Sequence, residues 1–523
     1  MRGENPRPLS FQTLAAAGRT YALDLVSSFI LFLAACLMSG RVWRFPFDDE
    51  LITLTAAQSA SVLDLMGYFL HGDGTHPPLS FLLYYMLHEM GLSEAVMRLV
   101  SLGMTATALL LFHLLTLALM TQRTGAVVRP STRLIAVLMF GLSPLALGQG
   151  DAIRWYPLFA LLFSLFVVLY LAADNQMGRL GSAVPLGLAA STNFTTAIII
   201  VPFLMYRHWL ERQFRLGFEA LYWLIFSLFG SLGLCTAYSI FRNLFFADSS
   251  VRNYWRSSVA IEFGAGPLRA AATNILGFFG GDALGVGQAW VILPVALIAA
   301  LALFREIDRK TPANPVHLLL LMFAAMALMI LPGFGKPRSF LYLAPVLAAI
   351  LTFFLDQVAT RNVGRVALLT SLVLIASVGT IANINHDTRP FKRNAVVPFE
   401  DILDFIRTNE EGKTLIVSSD PVVVWELRRQ SGQSDRCVSR FLKEASCFAP
   451  DRRYDSIFVV FGQSNISRNA AAIQRFQVKL NDVIAGKRKV ATIHAGLDED
   501  AEIKSQLVKV PLDKFILTID LYR

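Results

Sequence analysis

A multi-spanning α-helical membrane protein with a small α/β domain after its last span is the fold class this sequence predicts. Three observations predict it. Only 16% of the 523 residues are charged while 54% are hydrophobic, where a soluble domain carries roughly a quarter charged residues. Mean hydropathy is +0.52, with the apolar residues gathered into separated runs. Beyond residue 385 the pattern changes, and short strand-like and amphipathic segments replace the long runs.

A bilayer core about 30 Å thick takes roughly 20 helical residues to cross. Runs of that order lie near 22–40, 98–120, 134–149, 157–173, 180–192, 195–206, 217–240, 289–304, 316–332, 338–355 and 365–384, about eleven spans. The pair around Asn193 is short on both sides, so a single long helix is an alternative there. The first run follows about 20 more polar residues and lacks a small-residue cleavage site, so it is expected to stay as a signal anchor.

With the N-terminus on the cytoplasmic side, the cytoplasmic loops become TQRTGAVVRPSTR, NQMGR, RHWLERQFR, REIDRK and TRNVGR. Each carries Lys or Arg, as orientation by basic loops requires. The formal net charge of +9 is therefore spent on topology. Lys and Arg do not cluster on one amphipathic element, and nucleic acid is not an expected partner. Arg242, Arg252 and Arg256 fall in a long outer loop, where the rule is weak. An odd number of spans places the C-terminal part outside.

That part divides the chain into a transmembrane domain, 1–385, and a C-terminal α/β domain, 386–523. VPFEDILDFIRTNEEG sets Phe399, Ile402, Leu403 and Ile406 on one helical face. KTLIVSS, DSIFVVFGQ and DKFILTIDLY have the composition of short buried strands. Cys437 and Cys447 could pair in an oxidising compartment or stay free thiols.

The outer loop after the first span, 41–97, is long yet not polar. Its stretches around 50–70 and 79–90 fit amphipathic helices lying in the membrane interface. It opens on three acids, Asp48, Asp49 and Glu50, and continues to His76-Pro77-Pro78-Leu79. The acids could form a solvated turn or cap the next helix. In a partly dry cleft, with like charges adjacent, a carboxylate instead becomes a better base. His76 could touch substrate, or merely precede a helix that the prolines start. Arg98 could bind phosphate or pair with Glu94 on the surface. Asp151 could orient Arg154 or stabilise its turn. Trp155 and Tyr156 are by default interfacial belt aromatics.

An acidic pair soon after the first span, then HPPL, then Arg98-Leu99, resembles the C-type glycosyltransferases that use polyprenyl-phosphate sugars. That group includes the protein O-mannosyltransferases, the lipid A aminoarabinose transferase and the rhizobial galacturonosyltransferases. GQGDAIRWYPLFALLFSL, with Arg154 and Tyr156, is similar to the family's second outer loop. GKPRSFLYLAPVLAAIL, with Lys336, Arg338, Tyr342 and Pro345, is similar to the basic entry of a late helix. The resemblance covers about residues 20–360 in order and topology.

The resemblance implies a multi-pass enzyme of the bacterial inner membrane, with a polyprenyl-phosphate sugar as donor and membrane lipids as surroundings. The acceptor would be a periplasmic-side glycan, lipid A or lipopolysaccharide, another lipid, or a protein hydroxyl. Transfer would be inverting, with Asp49 as base and Asp48 the neighbouring candidate. Arg154, Lys336 and Arg338 would receive the departing lipid phosphate. Glu50, His76, Arg98, Tyr156 and Tyr342 would contact substrate. No metal or other cofactor is expected, since no dense Asp/Glu/His cluster completes a shell around Asp48, Asp49 and His76. The rival reading is a lipid or sugar transporter or flippase. Such proteins place ionisable groups within the spans, and here Asp24 and His113 are the main cases.

Overall fold

The computed structural model describes residues 9–38, 42, 48–71, 77–173, 175–193, 196–205, 216–245, 341–342, 344–361, 399–418, 421–430, 436–440, 445–448, 453–461, 470–495 and 517–523. The spans expected near 289–304, 316–332 and 365–384 lie outside these residues. The chain forms two compact units, 1–43 with 53–385, and 44–52 with 386–523.

The first unit begins with α1 (Phe11–Thr20), which the sequence reading passed over, and α2 (Ala22–Met38). Ser10 caps α1, its Oγ accepting from the Thr13 amide. The two helices meet at an angle of 76°. Buried Tyr21 sits in the elbow, its hydroxyl 2.6 Å from Thr121 Oγ1 and accepting from the Val128 amide at 3.0 Å.

The long outer loop forms α3 (Asp48–Ala57), α4 (Val62–His71) and α5 (Leu79–Glu89). The three acids thus occupy the first turn of α3, where negative charge complements the helix dipole. The bond from the Leu79 amide to the Ser191 carbonyl ties the start of α5 to the transmembrane helices.

Helix α6 (Glu94–Thr124) has 31 residues, about 46 Å at 1.5 Å per residue and longer than the hydrocarbon core. It ends at Gly125, whose φ of 66° suits glycine. Pro130 starts α7 (Pro130–Gly141). The run expected as one span at 134–149 is found within the candidate span Pro130–Gln149, in which α7 gives way to α8 (Pro144–Gln149) at Pro144. Proline lacks the amide proton and disfavours helical backbone in the residue before it.

The remaining helices of this unit are α9 (Trp155–Ala172), α10 (Gln176–Leu180), α11 (Ala183–Ala190), α12 (Thr196–Met205), α13 (Leu216–Phe245) and α14 (Ala344–Arg361). The segment around Asn193 is therefore two helices, not one. Among the described residues, four helices or helix runs are long and apolar enough to cross a membrane, and the bent α1–α2 pair makes a fifth.

Small residues let α11 and α13 touch backbone to backbone. A Cβ on Gly187 would stand 2.6 Å from the Phe226 carbonyl oxygen, and one on Gly233 2.8 Å from that of Ala190. Close approach of this kind drives helix association in lipid, where burial of apolar surface gives little. Basic residues at the start of α7 act as tethers. Arg133 pairs with Asp24 at 2.7 Å, and Arg129 with Asp356 at 2.6 Å, joined by Thr132.

The second unit holds α15 (Phe399–Asn409), β1 (Thr414–Ser418), α16 (Pro421–Gln430), β2 (Arg436–Arg440), β3 (Ser456–Phe461), α17 (Ala470–Ile484), β4 (Lys489–Ala495) and β5 (Leu517–Tyr522). The strands form one sheet in the order β2-β1-β3-β5-β4, parallel across β2-β1-β3 and antiparallel beyond. Interior strand β1 is buried at every position. Its Leu415 and Val417 join one core while Ile416 joins the other, as alternation along a strand dictates. Ile402, Leu403 and Ile406 of α15 pack into the second of these cores together with Leu51.

Cys437 of β2 and Cys447 are joined by a disulfide across a separation of 10 residues. Closing a loop of that length is worth about 2–3 kcal/mol on chain entropy. Cys437→Ser is expected to lower the thermal midpoint of the full-length protein by several degrees. Reductant should lower the wild type to the same value and leave the variant unmoved; a wild type indifferent to reductant would show the bond to be unimportant.

Candidate active site

Helix α6 sets Arg98, Ser101 and Thr105 at positions i, i+3 and i+7, on one face. All three are buried, Arg98 to 1% exposure. The Arg98 Nη1 donates to the Val42 carbonyl at 3.2 Å. The surface placement that a pair with Glu94 supposed is thus overturned, because the guanidinium sits inside the protein.

Residues 150–154, the turn between α8 and α9, lie against this face. Thr105 Oγ1 has the Gly150 carbonyl at 3.0 Å and its own helix's Ser101 carbonyl at 3.2 Å. A Cβ on Gly150 would come within 2.6 Å of the Ala146 carbonyl oxygen and 3.0 Å of Thr105 Cγ2, so the close approach depends on glycine. The Arg154 amide donates to the Ala152 carbonyl at 2.8 Å. Arg154 then takes the N-cap position of α9 with extended backbone, φ −147° and ψ 177°. Its side chain is 4% exposed, and Nη1 lies 3.5 Å from Thr53 Oγ1 on α3. Asp151, in the same turn, is 3% exposed.

Two guanidinium groups are thus held inside the protein. Burying a charge is costly unless it is matched, and arginine's planar fork suits carboxylate or phosphate oxygens. A helix N-terminus adds positive potential beside Arg154.

Trp155 and Tyr156, expected as belt aromatics, are buried at 2% and 3%. They open α9 with their rings 4.5 Å apart, edge to face. The correction follows from their place in the first turn of a helix that is buried along nearly its whole length. Tyr342 is buried as well, its ring 4.8 Å from Phe159 and 5.3 Å from Phe163, one and two turns along α9. Glu50 is fully buried. Asp48 and Asp49 are placed by their backbone in the first turn of α3. His76, Lys336 and Arg338 lie outside the described residues. Among the described residues, no group of three or more His, Cys, Asp or Glu side chains could hold a metal ion.

Tyr84 on α5 belongs to this site and was missed. Its hydroxyl is 2.6 Å from Ser101 Oγ and 3.2 Å from the Arg154 carbonyl. Nothing in an isolated tyrosine of an apolar helix signals contacts with residues 17 and 70 positions away.

The fold is shared with proteins of known structure. It is similar to the solved structure of ArnT from Cupriavidus metallidurans bound to undecaprenyl phosphate, with TM-score 0.54 over 96% of this chain and 98% of that one. The apo state of the same ArnT gives 0.52 over 97% and 98%. Sequence identity is 13% in both cases, so the likeness is one of fold. The oligosaccharyltransferase of Archaeoglobus fulgidus, solved with Zn and sulfate, aligns more loosely, at TM-score 0.42 and 14% identity over 74% of this chain and 60% of that one. No family model matches the sequence, and no curated protein matches it.

Proposed function

We propose that the protein is an integral-membrane glycosyltransferase that moves a sugar from a polyprenyl-phosphate donor to a hydroxyl on the outer side of the bacterial inner membrane. The observation that carries this reading is the buried Arg154 at the head of α9, in a fold shared end to end with a protein solved on undecaprenyl phosphate. Undecaprenyl phosphate is the leaving group such a reaction would release.

The chemistry balances with few parts. Asp49, four residues before Thr53 in the sequence, accepts the acceptor's hydroxyl proton. The freed oxygen attacks the anomeric carbon and forms the new glycosidic bond with inversion, while the bond from that carbon to the phosphate oxygen breaks. The lipid phosphate leaves with one more negative charge, which Arg154, Lys336 and Arg338 receive. Such charge-assisted contacts are worth about 1.5–3 kcal/mol each, and each 1.36 kcal/mol is about tenfold in rate. Glu50, His76, Arg98, Tyr156 and Tyr342 complete the substrate contacts, and Asp48 is the alternative base. The Cys437–Cys447 disulfide supports an oxidising, periplasmic side for residues 386–523.

The transporter reading finds less support. Asp24 is engaged in its pair with Arg133. His113 bonds Ser28 Oγ through Nδ1 at 2.8 Å and stacks on Phe140. Both act as links between helices.

Deleting the gene and weighing the cell's lipopolysaccharide and polyprenyl-linked sugars tests the proposal. One glycan pool should lose a sugar-sized mass while a polyprenyl-phosphate sugar accumulates. If both pools keep their masses and amounts, the reading fails.

A further inference from the structure

The hydroxyl of Tyr84 stands where a second helix meets the turn that presents Arg154. Tyr84 is fully buried on α5. Its Oη lies 2.6 Å from Ser101 Oγ, 3.2 Å from the Arg154 carbonyl oxygen and 3.5 Å from that of Ala152. Ser101 Oγ also has the Met97 carbonyl at 3.0 Å.

Each hydroxyl carries one hydrogen to share among these contacts: Tyr84 Oη reaches the Arg154 carbonyl, Ser101 Oγ reaches that of Met97, and either hydroxyl can donate across the 2.6 Å between them. A buried relay of this kind is strengthened by the low dielectric around it.

We propose that Tyr84 is a positioning residue for Arg154, acting through its hydroxyl and fixed in turn by Ser101. This rests on the reading of Arg154 as the ligand of the donor phosphate. Thr105 holds the turn at Gly150, and Tyr84 holds it at Ala152 and Arg154. The backbone of the N-cap residue is thus clamped from α6 and α5 together. The guanidinium hangs at the end of a long side chain, so a shift of the backbone carries straight to the phosphate. A displacement of about 1 Å in a positioned group can cost about a hundredfold.

The test measures binding of undecaprenyl phosphate to the full-length protein in nanodiscs. The proteins compared are wild type, Tyr84→Phe, Ser101→Ala, Arg154→Ala and the Tyr84→Phe/Arg154→Ala double variant. Phenylalanine keeps the buried ring and removes only the hydroxyl. Tyr84→Phe is expected to weaken binding about tenfold, equivalent to about 1.4 kcal/mol and within the range of one buried hydrogen bond, with Ser101→Ala following it in the same direction. In the double variant the loss should equal that of Arg154→Ala alone, because the relay then has nothing to aim. A merely structural tyrosine would instead give additive losses and a matching fall in thermal midpoint. Additive losses, or Tyr84→Phe binding within twofold of wild type while Arg154→Ala binds weakly, overturn the inference and leave the phosphate reading standing. Arg154→Ala binding like wild type overturns both.

Discussion

An Asp49→Asn protein is expected to lose sugar transfer by about 10²–10⁴-fold, the usual contribution of a positioned general base. Its affinity for undecaprenyl phosphate should stay within about twofold of wild type. Asparagine matches the shape of aspartate and still suits the first turn of a helix, so α3 keeps its start. What it lacks is a lone pair basic enough to take the acceptor's proton. Asp48→Asn should fall by less than about tenfold, which separates the two adjacent carboxylates. Transfer and binding must be followed together, since a loss of both in proportion would point to a damaged fold. Full transfer by Asp49→Asn would remove the base from the account.

The second large effect belongs to Arg154. Replacing it with alanine removes a charge-assisted contact from a buried site, an effect of about 1.5–3 kcal/mol. Affinity for undecaprenyl phosphate should fall about 10–150-fold, and transfer by at least as much, because the leaving phosphate gains charge in the transition state. Arg154→Lys is the informative intermediate. It keeps the charge but not the planar fork, and should recover part of the affinity, leaving it about tenfold below wild type. Lysine is also the safer variant for folding, because its stem fills much of the space that alanine would empty. Product inhibition by added undecaprenyl phosphate reads the same quantity without knowledge of the sugar. If inhibition by the lipid phosphate is unchanged in both variants, Arg154 does not touch it.

Much of the helical framework is legible in the sequence, and the reason is physical. A segment crossing lipid must satisfy its backbone internally and cover itself with apolar side chains, so α2, α6, α9 and α13 appear as long continuous runs. Breaks are legible only through proline. Pro144 carries the signal for the interruption between α7 and α8, and the apolar run continues through it as one candidate span, Pro130–Gln149. The elbow helix α1 is amphipathic and short, and its signal is no more than a capping serine with Leu14 and Ala17 at helical spacing. Strand β2, RCVSR, has charged ends and lies at the edge of the sheet, where burial leaves little pattern to read. Arg129 and Arg133 read as topology signals, while their pairing with Asp356 and Asp24 depends on partners on distant helices.

The site divides along the same line. Arg154 and Tyr156, which the resemblance to polyprenyl-phosphate-sugar glycosyltransferases singles out, stand together at the head of α9. Burial is not legible in the same way: Arg98 and Trp155 occur in sequence contexts that suit a surface, and the packing of α6 and α9 takes them inside. Tyr84 belongs wholly to tertiary structure, since its hydroxyl matters only once α5, α6 and the turn at 150–154 have come together.

The most direct measurement is a cryo-electron microscopy structure of the full-length protein in nanodiscs with undecaprenyl phosphate. The account predicts phosphate oxygens about 2.7–2.9 Å from the Arg154 guanidinium, with the Asp49 carboxylate turned away from bulk solvent. A phosphate bound away from Arg154, with Asp49 turned into bulk solvent, would contradict it.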